Sequence, residues 1–275
     1  MKVLVVGGCG YIGSRLIPYL SQWHSVTNYD LMHGEDVRNT PLFRKFCADK
    51  DVVIYLASLS NNDMCNRSPE LAMSINQYAF AGVLQAVKEC SVGRFIYASS
   101  VAAYGDRDNA DETCELKPTT KYGEGKAYCE RSLTAEIPYI VTRCASVCGY
   151  SPRMRYDLMV NKMTRDAMKG VITVNGGAQV RSHIHINDVC RLYRYLLDAK
   201  GVEYEAFNVV SENMKVMDTA IRVARTVGDA HIDMKPSTDN RSYSVSGEKA
   251  QKMLGFKPLY TVSDAIVENY LNFYQ

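Results

Sequence analysis

Tyr122 and Lys126 stand four residues apart in Thr119-Thr120-Lys121-Tyr122-Gly123-Glu124-Gly125-Lys126. On a helix that spacing puts both side chains on one face, with the amine one turn beyond the phenol. A phenol with an ordinary pKa near ~10 needs about three units of lowering to act as a base near neutrality, roughly 4 kcal/mol. One cation ~4 Å away at an effective dielectric of ~20 supplies about 4 kcal/mol. Proton transfer by a lysine-assisted tyrosine is therefore within reach. Such a pair on its own is also an ordinary surface feature, so the elements around it have to decide.

The second constellation is Val3-Leu4-Val5-Val6-Gly7-Gly8-Cys9-Gly10-Tyr11-Ile12-Gly13. Its apolar run is short and β-branched, as a central parallel strand should be, and its glycines satisfy both G-x-G-x-x-G and G-x-x-G-x-x-G. The spacing predicts a tight turn, close approach of backbone N–H groups to a pyrophosphate, and close helix–strand packing. An amphipathic segment from Ile12 to Trp23 and a second strand, Ser25 to Tyr29, follow. That strand ends at Asp30, where a carboxylate would accept both hydroxyls of an adenosine ribose. Beyond it, Asp36 and Val37 suit the edge of an adenine ring, although Asp36 reads equally well as a solvated loop carboxylate.

The remaining elements alternate. Leu42 to Ala48 reads as a helix, Asp51 to Leu56 as a strand ending in Ala57-Ser58, and Ser68-Pro69 opens a helix to about Cys90. Arg94 to Ala98 is a strand breaking into Ser99-Ser100-Val101-Ala102-Ala103-Tyr104-Gly105, the Tyr122 helix runs to about Ala135, and Pro138 to Thr142 is another strand. This is the α/β pattern of a Rossmann, doubly wound parallel sheet, whose ligand crevice lies beyond the carboxyl ends of its strands.

Past Gly149 the grammar changes: a loop at Ser151-Pro152-Arg153-Met154-Arg155, a helix from Leu158 to Met168, a strand from Val171 to Val174 and a turn at 175–178. Helix follows from Ile184 to Asp198, strand from Phe207 to Val210, and helices from Val216 to Val227 and Asp264 to Tyr274. Residues 1–150, with 182–212 returning to them, read as the dinucleotide-binding domain, and 151–181 with 213–275 as a smaller substrate lobe.

Composition narrows the function. With 32 basic and 30 acidic residues in 275, a net charge of +2 and no basic block, the chain offers no field for nucleic acid. Nine scattered cysteines without a C-x-x-C pair read as reduced thiols, with no metal site and no disulfide framework. No apolar run of 18 residues occurs, so no membrane span is expected and a cytoplasmic location is.

Taken together, the chain resembles the extended short-chain dehydrogenase/reductases, in the nucleotide-sugar epimerase and dehydratase branch typified by UDP-glucose 4-epimerase. The resemblance spans nearly the whole chain. It rests on Gly7-x-x-Gly10-x-x-Gly13, Asp30, the strand Asp51 to Leu56 with Ala57, Asn76, Ala98-Ser99-Ser100-x-x-x-Tyr104-Gly105, Tyr122-x-x-x-Lys126 and Arg181-x-x-Ile184-His185-x-x-Asp188-Val189. It implies Ser100 as hydroxyl partner of a catalytic Tyr122, and Lys126 as support for the phenolate and for the nicotinamide ribose. It implies an NAD site lined by Gly7, Gly10, Tyr11, Ile12, Gly13, Asp30, Asp36, Val37, Leu56, Ala57, Ser58, Asn76, Ala98, Ser99, Tyr122, Lys126 and Cys144. For a nucleotide-diphosphate sugar it implies Ser100, Ser146, Asn161, Arg181 and, as a second phosphate contact, Arg241; either arginine reads equally as a solvated surface charge. A homodimer through the helices Pro69 to Cys90 and Lys121 to Ala135 is implied as well.

Departures from the family pattern narrow the chemistry. Sugar 4,6-dehydratases carry Asp-Glu directly after the serine or threonine of this loop, where this chain has Val101-Ala102. Uronic acid decarboxylases carry Glu, and GDP-fucose synthase-like enzymes Cys, at the position of Ala102. What remains is hydride chemistry run by Ser100, Tyr122 and Lys126, which a 4-epimerase needs to pass through a 4-keto sugar and back. A keto-sugar reductase uses the same groups, and a cofactor-sensing protein on the same fold is the non-catalytic alternative. Ser146, where many epimerases have Asn, leaves the sugar unassigned.

Overall fold

The computed structural model describes residues 1–273 apart from 229, 238 and 240. Eleven strands are described: β1 (Lys2–Val6), β2 (Ser25–Tyr29), β3 (Val52–Tyr55), β4 (Arg94–Ser100), β5 (Tyr139–Cys144), β6 (Ser146–Cys148), β7 (Val171–Asn175), β8 (Val180–His185), β9 (Glu205–Val209), β10 (Glu212–Lys215) and β11 (His231–Lys235). Six of them form one parallel sheet in the order β2-β1-β3-β4-β5-β9. Both faces of that sheet are covered, which is why its central strands β1 and β3 are almost continuously apolar. Val3 and Val5 point into one core with Leu16, Leu20, Leu192 and Leu196, while Leu4 and Val6 point into the other with Phe43, Phe80 and Val83. The expected Rossmann architecture is thereby present.

The chain reverses direction across the sheet between β1 and β3, and this is where the ligand crevice of a doubly wound sheet opens. Gly7, at φ +86°, turns the chain there. A Cβ on it would lie 2.8 Å from the amide nitrogen of Ala57, so only glycine lets the ends of β1 and β3 approach so closely.

Beyond the sheet, a third core gathers Val160, Met163, Ile172, Val174, Val216, Ala220, Val223, Val262 and Ile266. The parallel pair β7–β11 and the three-stranded sheet β10-β8-β6 flank it. Strands β8, β10 and β11 escape the sequence reading because their apolar residues are few. Val180 to His185 is mostly polar, and the following helix begins at Ile186 instead of Ile184, with the His185 ring accepting from the Asn187 amide. The last helix spans Val262–Phe273; the expected end at Tyr274 lies outside the described residues.

One expected helix is broken. The segment from Pro69 runs helically to Met73, makes one π-helical turn over Ser74–Tyr78, and resumes from Ala79 to Glu89. The turn contains Asn76, whose carbonyl accepts from the Cys129 thiol at 2.9 Å.

Candidate active site

Strand β4 delivers Ala98, Ser99 and Ser100 to the crevice, and a short 3-10 turn, Val101–Ala103, carries the chain away. Ser100 caps that turn by accepting from the Ala102 amide at 3.2 Å. The helix Lys121–Arg131 starts against the same turn, with Thr120 accepting from the Gly123 amide at 3.1 Å. A Cβ on Gly123 would lie 2.5 Å from the Ala102 carbonyl oxygen, so the missing side chain is what sets Tyr122 beside Ser100.

Lys126 is almost fully buried one turn on. Its Nζ donates to the Ala98 carbonyl at 2.6 Å and lies 5.0 Å and 5.6 Å from the ring centres of Tyr97 and Tyr122. Burial pushes its pKa down to about 8. Burial also pushes the Tyr122 phenol up to about 12, opposed first by the charge of Arg155 and then by the hydrogen bond with Ser100. Arg155 is thus a cation that opposes the rise of this phenol.

Glu130 stands two helical turns from Tyr122 and one from Lys126. It accepts from Arg143 Nε at 3.0 Å and from its terminal nitrogen at 2.8 Å, and a very short bond from the Ser99 hydroxyl joins them. Arg143 also donates to the Tyr104 hydroxyl at 2.7 Å, which donates to Asn208 at 2.8 Å. This buried chain fixes the end of β4, and its sequence signal was the repeat of four through Tyr122, Lys126 and Glu130.

A cleft of about 980 Å³ runs from the glycine turn past Tyr122. It is lined by Gly7, Gly10, Tyr11, Ile12, Gly13, Asp30, Asp36 and Val37 at one end, and by Leu56, Ala57 and Ser58 beside them. Ala98, Ser99, Ser100, Tyr122, Lys126, Cys144 and Ser146 line the rest. The turn fits a dinucleotide pyrophosphate: a Cβ on Gly13 would lie 2.5 Å from the Gly7 carbonyl oxygen, so strand, turn and the helix Gly13–Leu20 close on each other. Asp30 accepts from the amides of Cys9 and Met32, both at 2.9 Å, which holds its carboxylate at that end. Asp36 lines the cleft with its carboxylate clamped by Arg38, Nε at 3.0 Å from both oxygens.

Four expected ligand residues do not line the cleft. Asn76 accepts from the Ser58 hydroxyl at 3.1 Å and the Leu59 amide at 2.8 Å and donates to the Leu59 carbonyl at 3.0 Å, so it pins the loop after β3. Asn161 is wholly buried: it donates to the Tyr11 hydroxyl and the Arg155 carbonyl, and accepts from Gly149 and Asn269. Its amide supports cleft residues from behind. Arg181 is held by the Arg241 carbonyl and Asp239, its guanidinium 5.1 Å from the ring centre of Tyr243, and Arg241 is paired with Asp239. Of that group it is Tyr243 that reaches the cleft.

Sequence reasoning passed over Arg155. It lines the cleft, donates to both oxygens of Asp157 at 2.7 and 2.6 Å, and donates to the Ser60 hydroxyl at 2.5 Å. Asp157 in turn accepts from Asn61 at 2.8 Å, so loops 58–62 and 151–158 are tied across the cleft. Arg-x-Asp in a loop was the available signal.

The sequence profile of the NAD dependent epimerase/dehydratase family matches residues 3–209. The low-salt glycan biosynthesis protein Agl12 of Haloferax volcanii is 27% identical, over 98% of this chain and 99% of its own length. The UDP-glucose 4-epimerase of Lacticaseibacillus casei is 25% identical, over 100% and 97%. Among solved structures, the UDP-glucuronic acid 4-epimerase of Bacillus cereus, in complex with UDP-glucuronic acid and NAD, superposes with a TM-score of 0.90 at 23% identity, each chain covered fully.

Proposed function

The chain belongs to the NAD-dependent epimerase/dehydratase family, an extended short-chain dehydrogenase/reductase lineage, and we propose that it is a 4-epimerase of nucleotide-diphosphate sugars. NAD is its cofactor, held by Gly7, Gly10 and Gly13 at the pyrophosphate, Asp30 at the adenosine ribose and Lys126 at the nicotinamide ribose. Bound there, it supplies a hydride acceptor. Tyr122 takes the proton of the sugar 4-hydroxyl and returns it, Ser100 orients that hydroxyl and Ser146 contacts the sugar. The third core, with residues 151–181 and 213–275, carries the sugar nucleotide, and residues 1–150 with 182–212 carry NAD.

One observation carries this reading over a dehydratase. Among the described residues lining the cleft, the carboxylates are Asp30, Glu35 and Asp36, all at the adenosine end, and Val101 and Ala102 follow Ser100. Elimination of water needs an acid and a base at the sugar, and Tyr122 is the titratable pair-member present there with Lys126. We further propose a homodimer through the faces bearing Leu71, Met73, Tyr78 and Tyr128, which are 43%, 37%, 61% and 44% exposed. All nine cysteines are free, which supports a reducing, cytoplasmic setting.

The test is incubation with NAD and UDP-glucose or UDP-glucuronic acid in deuterated water, followed by NMR. Interconversion of C4 epimers without deuterium on carbon is expected, and Tyr122→Phe should lose it by about 10² to 10⁴ while still binding NAD. Deuterium at C5, or NADH formed mole for mole, would overturn the epimerase reading.

A further inference from the structure

Nine thiols are present, and three of them, Cys9, Cys90 and Cys114, reach solvent in part. Their partners differ in kind. The Cys90 thiol donates to the Arg44 carbonyl at 3.5 Å and the Cys114 thiol to an Asp111 oxygen at 3.7 Å, and among the described residues neither has a basic nitrogen as partner. Cys9 has the opposite surroundings. Its Sγ receives a bond from Asn28 Nδ2 at 3.3 Å and lies 3.6 Å from His33 Nε2. The other ring nitrogen of His33 lies 3.8 Å from Glu35, whose carboxylate also accepts from the Asp30 amide at 2.8 Å. Thiol and imidazole thus stand together as nucleophile and proton acceptor, with a separate donor on sulfur. Asp30 and Glu35 are the anionic groups near this thiol, and Asp30 is turned to the Cys9 amide at 2.9 Å.

Cys9 lies within the glycine turn, between Gly8 and the cleft-lining Gly10, and Asp30 and Glu35 line the adenosine end of the same cleft. We propose that Cys9 is a reactive thiol, and that its conversion to a mixed disulfide with a low-molecular-weight disulfide blocks entry of the dinucleotide. In that step His33 takes the thiol proton and the Cys9 sulfur attacks one sulfur of the disulfide. A new S–S bond forms as the old one breaks, and the departing thiolate receives the proton. Cys9 is oxidised and half of the disulfide is reduced. The inference rests on the cleft's being a dinucleotide site.

The test uses the full chain with oxidised glutathione, mapped by peptide mass, and NAD affinity measured before and after. Cys9 is expected to acquire the adduct ahead of Cys90 and Cys114, and His33→Asn to slow it several-fold by removing the proton acceptor. The adduct should weaken NAD binding at least about tenfold, a reducing agent should restore it, and the same treatment of Cys9→Ala should leave its affinity where it was. Earlier modification of Cys90 or Cys114, or equal rates in His33→Asn, would overturn the reactive thiol. A Cys9 adduct that binds NAD as before would overturn the block. Failure of the untreated protein to bind NAD would overturn the dinucleotide reading and the block with it, while the order of labelling still reports on the thiol.

Discussion

Lys126 donates its ammonium to the carbonyl oxygen of Ala98 at 2.6 Å, which fixes the charge at the end of β4 with the Tyr122 ring centre 5.6 Å away. The lysine thereby ties the end of β4 to the helix that carries Tyr122. Burial is the largest influence on the Tyr122 phenol and raises it.

The burial of Lys126 has a consequence for stability. Its folded pKa of about 8 lies below the unfolded value, so below pH 8 both states hold the proton and folding carries the burial cost. Between about pH 8 and 10.5 the unfolded chain binds more protons than the native one, so this group makes stability rise with pH across that window. Urea midpoints of the wild type relative to Lys126→Met should increase over that range. A constant difference would rule the burial out as the cause of the shift.

The ion pair of Arg143 and Glu130 is buried, with side chains 9% and 6% exposed. Removing one partner strands the other, so Arg143→Met should lower unfolding free energy by about 3 to 5 kcal/mol in chemical denaturation. Because Glu130 also holds Ser99, NAD affinity should drop in the same variant. A loss below about 1 kcal/mol, the range of exposed pairs, would contradict the geometry.

Cofactor choice follows from how the cations near the adenosine end are paired. Asp30 would repel a 2′-phosphate, and Arg38, which lines the cleft, is clamped by Asp36. The wild type should bind NAD more tightly than NADP. Asp36→Asn should free Arg38 and tighten NADP selectively, and combining it with Asp30→Asn should narrow the preference further. Unchanged NADP dissociation constants in both variants would sink this account.

The parallel sheet and the glycine turn were legible because strand patterning and glycine spacing are local properties. That Tyr122 and Lys126 share one helix face was legible too, since a spacing of four on a helix specifies it. Asn161 and Arg181 were not, because whether an amide or guanidinium faces a ligand depends on what packs behind it. Tyr11 and Asn269 claim the Asn161 amide, and Asp239 with the Arg241 carbonyl claims Arg181. The π-helical turn at Asn76 escaped for a similar reason, its carbonyl partner Cys129 being on another helix.

Arg155 acts at once on the Tyr122 phenol and on the loops that flank the cleft. Its guanidinium is held in a fork by Asp157 and Ser60 and is the strongest charge opposing the upward shift of Tyr122. Two contributions are separable, the charge on the phenol and the tie between loops 58–62 and 151–158. Arg155→Lys keeps the charge and loses the bidentate fork, so it should raise KM with a smaller change in kcat. Arg155→Met loses both, so the rising limb of the kcat/KM profile should move to higher pH, because a phenol with less cationic support ionises later. Thermal melts of both variants separate loop loosening from global loss of stability. A pH profile in Arg155→Met superimposable on the wild type would show that this arginine does not act on Tyr122, and would leave Lys126 and a bound nicotinamide as the charges that prepare the base.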